Sequence, residues 1–170
     1  MDDGMKRIEQ SMKDYFGADR RRIDHALRVA GFAEEILAHE PGDREVVMAA
    51  AFLHDIGIRE AERKYGSSAG NLQEQEGPPV AREILTSLGF GEPLIDEVCA
   101  IIASHHSPGE VDTDNFRVIW DADWLVNIPD EVSLDDEAKL RGIIGKVFQT
   151  PTGRSIAERT YLERPASGSR

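Results

Sequence analysis

Val46-Val47-Met48-Ala49-Ala50-Ala51-Phe52-Leu53-His54-Asp55-Ile56-Gly57 is the stretch whose reading decides the fold. From Val46 to Leu53 the run is apolar on every side at helical spacing, so it reads as a buried, central helix with Asp43 as its N-cap and Gly57 as its stop. It runs straight into His54-Asp55. A carboxylate there faces the negative end of the helix dipole and borders an apolar interior, where an unpaired charge costs several kcal/mol. A positive partner or a proton must therefore accompany Asp55. A divalent cation shared with His54 supplies one.

Outward from that helix the apolar residues keep helical spacing and nothing reads as a strand. Met5, Ile8, Met12 and Tyr15 line a first helix that Gly17 can stop. A second runs from about Asp19 to Ala38, ahead of the break at Pro41-Gly42. The polar stretch from Arg59 to Gln75, carrying Gly66, Ser67, Ser68 and Gly70, reads as the longest loop and a candidate lid. Pro78-Pro79 fits the start of a helix ending at Gly89, and Pro93 the first turn of the next, which runs to about Ser104. Asp114 can cap a helix to about Asn127, Ser133 with Asp136 resembles a capping box for a helix ending near Phe148, and a last helix spans about Thr152 to Leu162. The expectation is one all-α domain over residues 1–164, a helical bundle of seven or eight helices, followed by a disordered tail at 165–170.

Polar groups interrupt the apolar faces. His25 shares a stripe with Val29, Phe32 and Ile36, at offsets of four, seven and eleven. Phe116, Trp120, Asp123 and Asn127 form another, with Asp123 in its middle, while Asp121 lies on a different side and reads as a supporting or capping acid. A single histidine on such a face is ordinarily a hydrogen-bonded core residue, and His39 at a helix end takes that reading. Several such groups at converging positions read differently, because bundle interiors are where carboxylate and histidine metal sites are built from facing helices. Two imidazoles and two carboxylates suit Fe, Mn, Co, Ni or Zn.

The chain has 170 residues, 40% apolar and 31% charged, an ordinary globular composition for one domain. With 20 Lys and Arg against 32 Asp and Glu the net charge is −12, which disfavours nucleic acid, since phosphate neutralisation supplies most of that affinity. A small anion can still bind where a metal or a few cations concentrate charge. The lone Cys99, in Val98-Cys99-Ala100-Ile101-Ile102, reads as core. No secretory signal follows from Met1-Asp2-Asp3-Gly4 and no stretch is long and apolar enough to span a membrane, so the expectation is a cytoplasmic protein without a membrane partner. A homodimer is left open.

His25, then His54-Asp55 within Ala51-Phe52-Leu53-His54-Asp55-Ile56-Gly57, then Asp123 within Asp121-Ala122-Asp123-Trp124-Leu125, resembles the HD superfamily of metal-dependent phosphohydrolases, from about Asp24 to Asn127 and more loosely through Phe148 and Ala157-Glu158-Arg159. The resemblance implies that His25, His54, Asp55 and Asp123 ligate one divalent transition metal. That metal would serve hydrolysis of a phosphoester of a nucleotide or similar small phosphorylated metabolite. Asp55 is then the candidate to orient or deprotonate water, and Glu76 resembles an acidic position near the attacking water in related proteins. Arg28 and Arg59 are candidate phosphate contacts, and His105 and His106 candidate substrate-side donors, whereas Arg63 and Lys64 read as a solvated loop. Binuclear relatives carry a further histidine just before the fourth helix, where this chain reads Gln73-Glu74-Gln75-Glu76-Gly77. One metal is therefore favoured, with a second open. Two alternatives remain: a non-catalytic metal-containing HD module that senses a ligand, and a di-iron HD oxygenase.

Overall fold

A computed structural model describes residues 2–107 and 109–163. Among them there is no strand. The chain is a bundle of α1 (Asp3–Phe16), α2 (Arg20–Leu37), α3 (Arg44–Leu53), α4 (Ile58–Tyr65), α5 (Gly70–Ser87), α6 (Glu92–Ser104), α7 (Asp114–Glu131), α8 (Glu137–Val147) and α9 (Pro151–Ala157), closed by a π-helical turn, Glu158–Leu162. The expected all-α architecture is present, and no helix is long and apolar enough to cross a membrane. The expected tail at 165–170 lies outside the described residues.

α3 is central, as its all-round apolar sequence requires. Every residue from Val46 to Leu53 is buried, and α1, α2, α6 and α7 all pack against it. Its start is fixed by Asp43, whose carboxylate accepts from the Glu45 and Val46 amides. Asp2, Asp19, Thr113, Asp136 and Thr150 cap α1, α2, α7, α8 and α9 in the same way. Asp136 alone accepts from a first-turn amide of α8, so the expected Ser133–Asp136 capping box is replaced by a simple Asp cap, with Ser133 Oγ taking the Asp135 amide. Cys99 is buried and its thiol faces the Pro78 carbonyl at 3.5 Å.

Three local expectations are corrected. The stretch from Arg59 to Gln75 is mostly helical: α4 occupies its first part, α5 starts at Gly70, and only 66–69 separates them. α4 keeps its apolar residues, Ile58 and Ala61, on one buried side, and Gly66 ends it at φ 66°, a left-handed cap that suits glycine. Nor does Pro78-Pro79 start a helix, since both lie inside α5. The rings remove the bonds that the Glu74 and Gln75 carbonyls would accept, but tertiary contacts hold the first half of α5 helical. Gln73 Nε2 donates to the Ser68 carbonyl, and Glu74 accepts from the His106 amide and Ser107 Oγ. α7 likewise runs past Asn127 through Pro129. Pro129 cannot donate to the Leu125 carbonyl, and Tyr161 Oη donates there instead at 2.5 Å, so the turn closes without a lost bond.

α5 meets the α3–α4 turn at two glycines. A Cβ on Gly57 would lie 2.5 Å from the Gly77 amide nitrogen and 2.6 Å from the Gln73 carbonyl oxygen. This contact seats α5 against the turn that carries His54 and Asp55. Gly57→Ala is therefore expected to destabilise the fold by ~1–3 kcal/mol, the cost of overpacking against backbone. Gly145→Ala, on α8 with open space around it, is expected to be neutral or to stabilise by up to about 1 kcal/mol. Urea unfolding of both variants is the measurement, and equal midpoints would contradict the close-approach account.

Candidate metal centre

His54 caps the C-terminus of α3 and is fully buried. Its Nδ1 lies 2.8 Å from the Ala51 carbonyl, an acceptor only, so Nδ1 carries the proton and Nε2 turns inward. The next residue, Asp55, sits in the tight turn between α3 and α4, closed by bonds from Ile56 N to Leu53 O and from Ile58 N to Asp55 O. α2 brings His25 and α7 brings Asp123 to the same point. His25 Nε2 is 3.2 Å from His54 Nε2, 3.2 Å from Asp55 Oδ2 and 3.1 Å from Asp123 Oδ1. His54 Nε2 is 3.4 Å from both Asp55 Oδ2 and Asp123 Oδ1. Asn127, one turn further along α7, donates to Asp123 Oδ1 at 3.0 Å and orients that carboxylate.

These separations test whether the donors fit a metal. Ligands ~2.1 Å from a transition ion stand ~3.0 Å apart across a right angle and ~3.4 Å apart across a tetrahedral one. The observed spread of 3.1–3.4 Å falls between the two, and the donors are two imidazole nitrogens and two carboxylate oxygens. Electrostatics point the same way. Burial opposes a charge on the His54 imidazole, yet the carboxylates of Asp55 and Asp123 overcome it and raise its pKa well above the ordinary histidine value. Burial likewise works against ionising Asp55 and Asp123, but the imidazoles hold both carboxyls well below the usual range. Two partly buried carboxylates around a centre that draws positive charge are chemically suited to a divalent cation.

Asp55 faces two ways. Its other oxygen, Oδ1, is 3.3 Å from His105 Nε2, and His105 Nδ1 donates to the Ile102 carbonyl at 2.6 Å. His105 and His106 stack with ring centroids 3.9 Å apart, and both can approach Asp55 as a second group of ligating side chains. His106 Nε2, however, lies 2.9 Å from Gln73 Oε1, and the Gln73 amide is fixed by its bond to Ser68. That nitrogen therefore carries a proton donated to Gln73.

Other expected residues lie apart from this cluster. Glu76 is buried and receives Lys64 Nζ at 2.9 Å and Tyr65 Oη at 3.1 Å, and the Lys64 ammonium lowers its pKa. Arg59 donates to the Tyr15 carbonyl and spreads over the Tyr15 ring, 5.5 Å from its centroid. Arg28 is exposed one turn along α2 from His25, with no ion pair among the described residues. Asp121 serves as the capping acid its position suggested. It accepts from the Gln149 and Thr150 amides at 2.8 Å and from Thr150 Oγ1 at 2.6 Å, binding the start of α9 to α7, and burial pushes its pKa up to about 6 against those bonds.

Sequence reasoning missed the cavity of about 180 Å³ beside the centre, lined by His105, His106, Trp120, Asp123, Trp124, Asn127 and Glu131. The signal was available. Trp120, Trp124, Asn127 and Glu131 recur at offsets of four, seven and eleven along α7, one face of a helix. It also missed Lys64 and Gln73, partners that only the α4–α5 packing brings to Glu76 and His106.

Comparison with known proteins agrees with this geometry. An uncharacterized protein of Acanthamoeba polyphaga mimivirus is 30% identical over 92 residues, 54% of this chain; the chain spans 38% of that protein's length. The crystal structure of a predicted HD superfamily hydrolase from an uncultured Thermotogales bacterium superposes with a TM-score of 0.67 at 28% identity, covering 93% of this chain and 85% of that one. The family profile for the HD domain matches residues 22–128, a span that contains His25, His54, Asp55 and Asp123, and the chain belongs to the HD-domain superfamily of metal-dependent phosphohydrolases.

Proposed function

We propose that this protein hydrolyses a phosphoester of a small phosphorylated metabolite, using one divalent transition metal held by His25, His54, Asp55 and Asp123. The observation that carries the reading is the convergence of those four donors, 3.1–3.4 Å apart, from three helices and a turn. A cation held there would supply Lewis-acid polarisation of a phosphoryl oxygen and acidification of a water.

The chain's own groups do the rest. Asp55 presents Oδ2 to the imidazoles and Oδ1 toward His105, which suits it to orient or accept a proton from the attacking water. Arg28, exposed one turn along α2 from His25 and without an ion-pair partner among the described residues, is a candidate cation for a phosphate oxygen. Glu76, ion-paired to Lys64 apart from the cluster, and Arg59, committed to Tyr15, are both engaged elsewhere. A single metal is favoured because Gln73-Glu74-Gln75-Glu76 stands where binuclear relatives place a histidine, and Gln73 engages His106 Nε2. The same bond weighs against the di-iron oxygenase alternative, and the complete four-donor set weighs against a non-catalytic module.

Three outcomes are expected. An ion supplied at ~100 times its Kd stabilises the fold by about 2.7 kcal/mol. For a domain of this size that raises Tm by roughly 5–10 °C. The shift should vanish in His54→Ala and Asp123→Ala, and an equal shift in those variants would count against the ligand set. Because the carboxylates raise the His54 pKa, it holds a proton that a bound cation must displace, so metal affinity should rise with pH up to that raised pKa, above the ordinary histidine range. Calorimetric titrations in two buffers of different ionisation enthalpy should give different heats, and equal heats would refute the displacement. Phosphate release from small phosphomonoesters should require the metal and fall by ~10²–10⁴-fold in Asp55→Asn, the span typical for losing a proton-transfer group. Metal-independent release would sink the proposal.

A further inference from the structure

The cavity beside Asp123 has an unusual lining for a site meant to meet an anion. Among the described residues its lining is His105, His106, Trp120, Asp123, Trp124, Asn127 and Glu131, with no Lys or Arg. Asp123 belongs to the proposed metal set, which leaves Glu131, exposed at the rim of the cavity, as the carboxylate open to a ligand. Glu131 is the last residue of α7, at the negative end of that helix dipole, where a carboxylate is unfavourable. It makes no hydrogen bond or ion pair among the described residues. The chain's two tryptophans, Trp120 and Trp124, are both in this lining. Trp120 is held in place by its Nε1–H bond to the Val147 carbonyl at 2.9 Å.

Indole faces attract cations through their ring quadrupole, and a carboxylate beside them adds direct charge complementarity. An anionic leaving group would meet Glu131 with no cation among the described lining residues to receive it, and a neutral one would draw no charge complementarity from it. An organic cation satisfies both the carboxylate and the indoles. Size is compatible: a cavity of about 180 Å³ has room for a compact alkylammonium headgroup.

We infer that the cavity formed by Trp120, Trp124, Asn127 and Glu131 takes an alkylammonium group, so that the substrate is a phosphoester of an amino alcohol with its cation in this cavity and its phosphate at the metal centre. This rests on the phosphohydrolase reading for the phosphate end alone. The cation end is tested without catalysis.

Because both tryptophans line the cavity, intrinsic fluorescence reports on it directly. The metal-loaded protein is titrated at constant ionic strength with choline, with its neutral carbon isostere 3,3-dimethylbutanol, and with adenosine and guanosine. The expected result is a saturable emission change with choline at a concentration at least tenfold below that needed for the neutral isostere. Glu131→Gln should erase that preference, and Trp124→Leu should weaken choline at least tenfold with the circular dichroism of the fold unchanged. Equal responses to choline and its isostere, a preference that survives in Glu131→Gln, or tighter binding of a nucleoside would each overturn the inference. Phosphate release is read separately from phosphocholine and from simple aryl phosphates. Hydrolysis of the aryl ester without choline binding overturns the cation site and leaves the phosphohydrolase intact. Choline binding without any hydrolysis upholds the site and removes the enzyme reading.

Discussion

Everything in this fold is arranged around the cost of keeping two carboxylates, Asp55 and Asp123, at the end of an apolar helix. An isolated buried carboxylate is among the least favourable things a protein interior can contain. Here Asp55 faces three imidazoles and Asp123 two at 3.1–3.4 Å, His54 is tautomerically fixed by the Ala51 carbonyl, and Asn127 steadies Asp123. The cluster is thereby made tolerable yet remains a place where positive charge is stabilised, which is what a metal centre requires before any metal arrives.

The scaffold serves that cluster with few devices. α3, apolar on every side, is packed by four neighbouring helices and so fixes the turn carrying His54 and Asp55. Glycine at 57 and 77 lets α5 close on the turn, and that approach also brings Gln73 to His106 and Lys64 to Glu76. α7 has opposite duties on its sides: Asp123 and Asn127 address the centre, while Asp121 grips the start of α9. The helix dipole is opposed twice, at Asp55 and at Glu131, and in both places an acid stands where a cation would be welcome.

Periodicity was enough for α1, α2, α3 and α6 and for noticing the polar residues that interrupt their apolar faces, because those answer to burial and to spacing along single helices, whereas the ligand set His25, His54, Asp55 and Asp123 came from the family resemblance. What neither could supply came from contacts between elements. α4 and the first half of α5 read as loop because their sequence is polar and rich in small residues, yet Ile58 and Ala61 pack inward and the Glu74 carboxylate is bound by His106 and Ser107. Pro78 and Pro79 read as a helix start by the local rule that proline favours first turns, and α7 was expected to end near Asn127 although it runs on through Pro129. At Pro129 the reason is specific, since a side chain thirty-six residues away from Leu125 donates the bond that proline cannot. No one-dimensional pattern contains that information.

The tethering of α9 to α7 also bears on where this protein can be divided. The family match ends at residue 128, but Asp121, two positions before a proposed metal ligand, is saturated by donors from Gln149 and Thr150, with Gly153 so close that a Cβ there would fall 2.3 Å from its carboxylate. Tyr161 then completes the hydrogen bonding of the same helix. The segment after the family match is thus a splint for the helix that bears Asp123, and a chain cut at the family boundary would expose an orphaned acid in the turn next to the centre. The working unit is longer than its signature.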